Sequence, residues 1–155
     1  MDVSRVLRQL YVGSCPASVE DIDRLKANYR ITAILNLQTD DDFQRCHLDW
    51  NSLEARCHEL EIEVRRIPLR DFAGLKVQRT ISECVAALDE LLQAGHIVYI
   101  HCNLGAVRSP TVVVAYLVQR RGWDLEDAIE CVTRCCSCSP VIHAIVSVSS
   151  GRVAA

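Results

Sequence analysis

The stretch best equipped for chemistry is His101-Cys102-Asn103-Leu104-Gly105-Ala106-Val107-Arg108-Ser109. It follows a short apolar run at 97–100 that reads as a buried strand. Such a strand delivers Cys102 to its carboxyl end, the edge at which open α/β sheets bind ligands. Five residues then wrap round to Arg108, which leads into a helix. Backbone N–H groups in a loop of this kind can point inward as an anion nest, and the helix start adds its positive end. That field favours thiolate over thiol and makes Cys102 a nucleophile near neutral pH. Arg108 offers a planar fork that can grip two phosphoryl oxygens at once. Gly105 sits where the chain must bend tightly. His101 is expected to orient the loop through a backbone hydrogen bond rather than to carry protons. A thiolate attacking phosphorus needs its own charge and the phosphoryl charge stabilised together, and this arrangement supplies both.

The flanking sequence spells out the elements that must hold the loop. Residues 7–12 read as a strand or short hairpin, and Ser18 with Asp21 three positions on starts a helix to about Asn28. Residues 31–37 are β-prone and mostly apolar, as a buried parallel strand should be. A polar loop is expected at 38–42, a short helix at 52–60, and a strand at 62–67 ended by Pro68. Ile81, Val85, Leu88 and Leu92 form one apolar helical stripe, closed by Gly95. Ser109-Pro110 reads as a cap followed by proline at the first helical position, and that helix runs to Arg121 before Gly122. Asp124 starts another helix, with Asp127 at its third position, to about Arg134, and Pro140 opens a last short one. Strands alternating with helices imply an α/β fold with a largely parallel central sheet flanked by helices.

Bulk properties narrow the setting. The 155 residues suit a single domain, 1–155 with its core at about 7–147, and no repeat or linker divides them. A net charge of −3 gives no general attraction to nucleic acid or an anionic membrane. No apolar run approaches the roughly 18–20 residues that span a bilayer. The nine cysteines are odd in number and several fall within helical or strand patterns, so reduced thiols and a cytoplasmic setting are expected. Cys135 and Cys138 have zinc-like spacing, which Cys131 and His143 could complete, but free thiols are the expectation there, with no metal and no cofactor.

The Cys-x5-Arg pattern after a strand resembles the protein tyrosine phosphatase superfamily, and His-Cys-x2-Gly-x2-Arg-Ser resembles its dual-specificity branch, over about residues 10–145. The resemblance implies that the Cys102 thiolate attacks, a phosphocysteine forms and water hydrolyses it without a metal. It implies a general acid on a loop some thirty residues upstream, where Asp71 in the Arg70-Asp71-Phe72 run fits. The acidic run Asp40-Asp41-Asp42 is a weaker candidate, expected to be a solvated loop. Ser109 resembles the hydroxyl that helps release the thiolate and equally suits a helix cap. Substrate contacts then fall to His101, Asn103, Leu104, Gly105, Ala106, Val107 and Phe72.

Several segments look closer to the laforin and starch-excess type of glucan phosphatase. They include Glu20-Asp21-Ile22-Asp23-Arg24-Leu25-Lys26, the Asn36-Leu37-Gln38-Thr39-Asp40 run and the tail Arg134 to Pro140. This implies aromatic platforms for glucose rings, for which Phe72, Phe43, Trp50, Trp123 and Tyr11 are candidates. Leu104 and Val107 depart from that subgroup, which carries smaller residues there. The resemblance also points to Cys57, with Cys84 as an alternative, as a thiol that could trap oxidised Cys102. The expected substrate is a phosphorylated glucan. The alternatives are a dual-specificity phosphatase acting on phosphoproteins and a phosphate-binding module without turnover. Oligomeric state is left open.

Overall fold

A computed structural model describes residues 1–70 and 76–150. Its centre is a five-stranded sheet in the order β1-β2-β5-β3-β4. β1 (Val3–Leu7) and β2 (Leu10–Gly13) form an antiparallel hairpin, so the strand expected at 7–12 is the second arm of a longer unit. β3 (Ala33–Asn36), β4 (Glu63–Arg66) and β5 (Val98–His101) run parallel to β2. The strand that carries the cysteine loop is therefore the middle one. Its last residue, His101, pairs with both Gly13 and Asn36.

Alternation along the strands divides the core in two. Ala33, Leu35, Val98 and Ile100 face one layer, and Ile34 and Tyr99 face the other. The first layer is covered by α4 (Lys76–Gln93), α5 (Arg108–Arg121), α6 (Leu125–Cys135) and α7 (Ile142–Ser150). The second is covered by α1 (Val19–Tyr29) and α3 (Trp50–Glu59). On α4 the expected stripe is buried at Ile81, Val85 and Leu88 and half-buried at Leu92. Every residue of α5 from Ser109 to Leu117 is buried, so this helix is threaded through the core and its first turn cannot drift.

Four local expectations are corrected. Residues 40–42 are not a solvated loop: they open a short helix, α2 (Asp40–Arg45), and Asp42 is buried. Thr39 drives this, its side chain accepting from the Asp42 N–H while the Asp42 carboxylate accepts from the Thr39 N–H, a reciprocal capping box. Ser109 is not a cap, because α5 already begins at Arg108 with Val107 at the N-cap, which places Ser109 inside the first turn. The last helix begins at Ile142, beyond Pro140. Finally, Cys136 and Cys138 are disulfide-bonded, whereas Cys15, Cys46, Cys57, Cys84, Cys102, Cys131 and Cys135 are free. Among the described residues, no group of three or more potential ligands is placed to hold a metal ion.

Candidate active site

Cys102 follows the last residue of β5 and is 3% exposed. The loop after it is suspended by its carbonyls. The His101 carbonyl accepts from Leu37 N–H at 2.9 Å, that of Asn103 from Cys15 N–H at 2.8 Å and that of Ala106 from Ser139 N–H at 2.7 Å. The Cys102 carbonyl accepts from the His101 ring at 3.2 Å, and that of Val107 from Thr111. In a planar trans peptide the next N–H points the opposite way. Carbonyls turned out to the scaffold thus turn the N–H groups of 103, 104, 107 and 108 toward the inside of the loop, where an anion would sit. Gly105 lies at φ 70°, and a side chain there would collide with the backbone of Gly13 and Ser14. The loop rests directly on the end of β2.

The polar groups around the loop form one network. Arg108 donates from Nη1 to the Asp42 carboxylate at 2.7 Å and from Nη2 at 3.3 Å, and again from Nη1 to the Leu69 carbonyl at 3.0 Å. Asp42 also accepts from the Asn103 amide at 2.8 Å and from the Thr39 hydroxyl at 3.0 Å. Asn103 in turn accepts from the buried Gln38 at 2.7 Å. Burial opposes ionisation of Asp42, but the hydrogen bonds from Arg108 and Thr39 outweigh it and hold the carboxyl at about 2. Asp42 is therefore a fixed anion. It cannot serve as a proton donor, and it holds the guanidinium in one plane at the loop.

His101 is fully buried, and burial, helped by the Arg108 charge against a backbone hydrogen bond, lowers its pKa to about 4. The neutral ring can only donate to the Cys102 carbonyl, so its proton lies on Nδ1. The Ser109 hydroxyl lies 3.4 Å from the Cys102 sulfur. With the serine already inside the helix, that hydroxyl is available to stabilise a thiolate.

Two recesses meet at this point. One, of about 400 Å³, is walled by Cys102, Ala106, Val107, Leu104 and Cys46 and is mostly apolar. The other, of about 360 Å³, is polar and is lined by α2, Arg70, Asn103 and Arg108. Leu104 is 79% exposed and Val107 39%, so both form the rim. Asp71 and Phe72 lie outside the described residues. Of the other aromatics expected near the loop, Phe43 and Trp50 stack at 5.4 Å and 5° and line neither recess, with the Arg66 guanidinium 4.5 Å from the Phe43 ring centre. Tyr11 packs edge-on against Tyr29, and Trp123 lies beyond the far end of α5, about 20 Å from the loop at 1.5 Å per residue.

Cys57 is not brought to Cys102. Its carbonyl accepts from Ile62 N–H at 2.8 Å, at the amino end of β4, and its side chain belongs to the opposite core layer. From sequence alone, Thr39, Gln38 and Cys46 have no role at the loop, and Asp42 is only a weaker candidate acid in a solvated run. The signal for Thr39 and Asp42 was present, as Thr39 with a carboxylate three positions on is a capping-box pattern.

Comparison with known proteins agrees with this geometry. Residues 10–143 match the model of the dual specificity phosphatase catalytic domain. The chain is 33% identical over 140 residues to phosphoglucan phosphatase LSF1 of Arabidopsis thaliana, covering 90% of this chain and 24% of that protein. It is 30% identical to mouse laforin, covering 81% and 41%, and 31% identical to mouse dual specificity protein phosphatase 2, covering 82% and 35%. The chain thus spans well under half the length of these relatives. In fold it is similar to PTPMT1 in complex with PI(5)P, with a TM-score of 0.78 at 21% identity over 96% of this chain and 92% of that one. With the Cys102–Arg108 loop seated at the carboxyl end of the central strand, the chain belongs to the dual specificity phosphatase family, whose members hydrolyse phosphomonoesters.

Proposed function

We propose that this chain removes phosphate from a phosphorylated glucan through a phosphocysteine intermediate on Cys102. The Cys102 thiolate attacks phosphorus, the S–P bond forms, and the P–O bond to the sugar breaks. Asp71 gives its proton to the leaving oxygen. Asp71, now a carboxylate, takes a proton from water as that water attacks the phosphocysteine, which releases inorganic phosphate and the thiolate. Inward N–H groups and Arg108 carry the charge on the transferring group, and the Ser109 hydroxyl steadies the departing sulfur.

The observation that carries the glucan reading is the similarity to a phosphoglucan phosphatase over 90% of the chain. Leu104 and Val107 present apolar surface at the rim, bulkier than the residues that subgroup carries there. A dual-specificity action on phosphoproteins is the second reading, favoured by the similarity to dual specificity protein phosphatase 2. Turnover is measured side by side on phosphorylated starch or glycogen and on phosphotyrosine and phosphothreonine peptides, with Cys102→Ser as the blank. Phosphate release from glucan at the higher kcat/KM is expected. Efficient turnover of peptides with glucan untouched gives the second reading. Release by the Cys102→Ser protein equal to that of the parent overturns the mechanism.

A further inference from the structure

The polar recess beside the catalytic loop shares Asn103 and Arg108 with the cavity of Cys102, but Asp41, Arg45 and Arg70 in its lining have no part in the reaction as described. Four arginines gather at this edge. Arg66 is paired with Asp40 at 2.6 Å and Arg108 with Asp42 at 2.7 Å. Arg45, in the last turn of α2, and Arg70, four residues after β4, are both exposed. Both face the recess, and neither has a carboxylate within 4 Å among the described residues. Asp41 lies on the same wall, and Asp42 is consumed by Arg108. The lining therefore carries three arginines against two aspartates, a local excess of positive charge on a chain whose net charge is −3. The recess shares Asn103 and Arg108 with the cavity that holds Cys102, so one ligand can occupy both. At about 360 Å³ it is large enough for a substituted phosphate group.

We propose that this recess is a second phosphate-binding subsite, gripped by Arg45 and Arg70, and that the chain prefers substrates bearing a second phosphomonoester near the one it removes. The subsite rests on the site being a phosphatase pocket, and on a glucan it corresponds to phosphates on neighbouring sugars. Paired guanidinium contacts to a dianion are strong, yet both arginines are exposed and screened by salt. A gain of about tenfold in kcat/KM is expected for the second phosphate.

The test compares phenyl phosphate with 1,3-phenylene bisphosphate, and a singly with a doubly phosphorylated maltooligosaccharide, on the parent, Arg45→Gln and Arg45→Gln/Arg70→Gln proteins. The expected result is a lower KM for the doubly phosphorylated member of at least one pair, with kcat little changed. In the double variant this preference disappears and high salt erodes it, while Arg45→Gln retains the parent rate on phenyl phosphate. No preference in either pair, or a preference that survives the double substitution, overturns the subsite. If the aryl pair shows the preference and neither oligosaccharide is hydrolysed, the subsite stands and the glucan reading falls.

Discussion

Asp42 shows how a residue can control chemistry without touching the reacting atoms. Its carboxylate ties Arg108, Asn103 and Thr39 together, so the plane of the guanidinium is set before substrate arrives. Asp42→Asn removes the charge that fixes that plane and leaves a largely buried Arg108 with a neutral partner. A loss of roughly 2–3 kcal/mol in stability and a roughly 10- to 100-fold fall in kcat/KM are expected, measured by thermal unfolding and by steady-state hydrolysis of an aryl phosphate. Unchanged values in both would remove Asp42 from the positioning role. The carboxyl lies at about 2 against an ordinary 3.8, so its contribution to stability is complete above pH 4 and lost as pH falls toward 2. The Asn variant is expected to lack that acid limb. At this scale the sequence was legible where one residue type is chemically required, as with Cys102 and Arg108 before a helix. For Asp42 only the capping-box pattern with Thr39 was legible, and its pairing with Arg108 was not, because an acidic run has the same composition whether solvated or buried and only the fold brings residue 108 back to residue 42.

At the scale of elements, strands and long helices were readable because apolar periodicity is a repeated signal. The run at 97–100 and the stripe on α4 each involve several residues that agree. Short α2 was missed because its six residues are mostly polar, and its formation depends on one cap rather than on a buried face. The start of α5 was misplaced by two positions because Ser-Pro is a strong cap pattern, yet the loop's own geometry lets Arg108 enter the helix first. The capping box on α2 has a consequence for catalysis: Thr39 holds the helix start, and the helix start holds Asp42. Thr39→Val keeps the side-chain shape and removes the hydroxyl. About 1–2 kcal/mol of stability is expected to be lost, as for other caps. If α2 only decorates the surface, kcat/KM will not follow. If it positions Arg108, kcat falls with it, and Thr39→Ser restores both.

Across the whole molecule, the sheet decides which thiols can meet. Cys57 sits in the α1–α3 layer at the amino end of β4, and Cys102 lies in the other layer beyond the carboxyl end of β5. The four-residue length of a strand alone separates them by about 10 Å, whereas a disulfide needs Cα atoms within about 7 Å. Burial also pushes the Cys57 and Cys84 thiols up to about 12, which keeps both protonated and slow to react. Cys46 is different: it is exposed and lines the same cavity as Cys102. Under mild hydrogen peroxide the Cys102 thiolate is expected to become a sulfenic acid. The Cys46 thiol then condenses with it, forming the S–S bond and releasing water. Peptide mass mapping is expected to find a Cys46–Cys102 link, and dithiothreitol to restore activity. Cys57→Ser should recover like the parent, because its thiol takes no part. Cys46→Ser should recover poorly, because the other free thiol beside the loop, Cys15, is pushed up to about 11 chiefly by burial and condenses slowly, so that sulfenic Cys102 proceeds to the irreversible sulfinic acid. A Cys57–Cys102 link would mean that the two layers open further than their packing allows, and full recovery of Cys46→Ser would remove Cys46 from the trapping step.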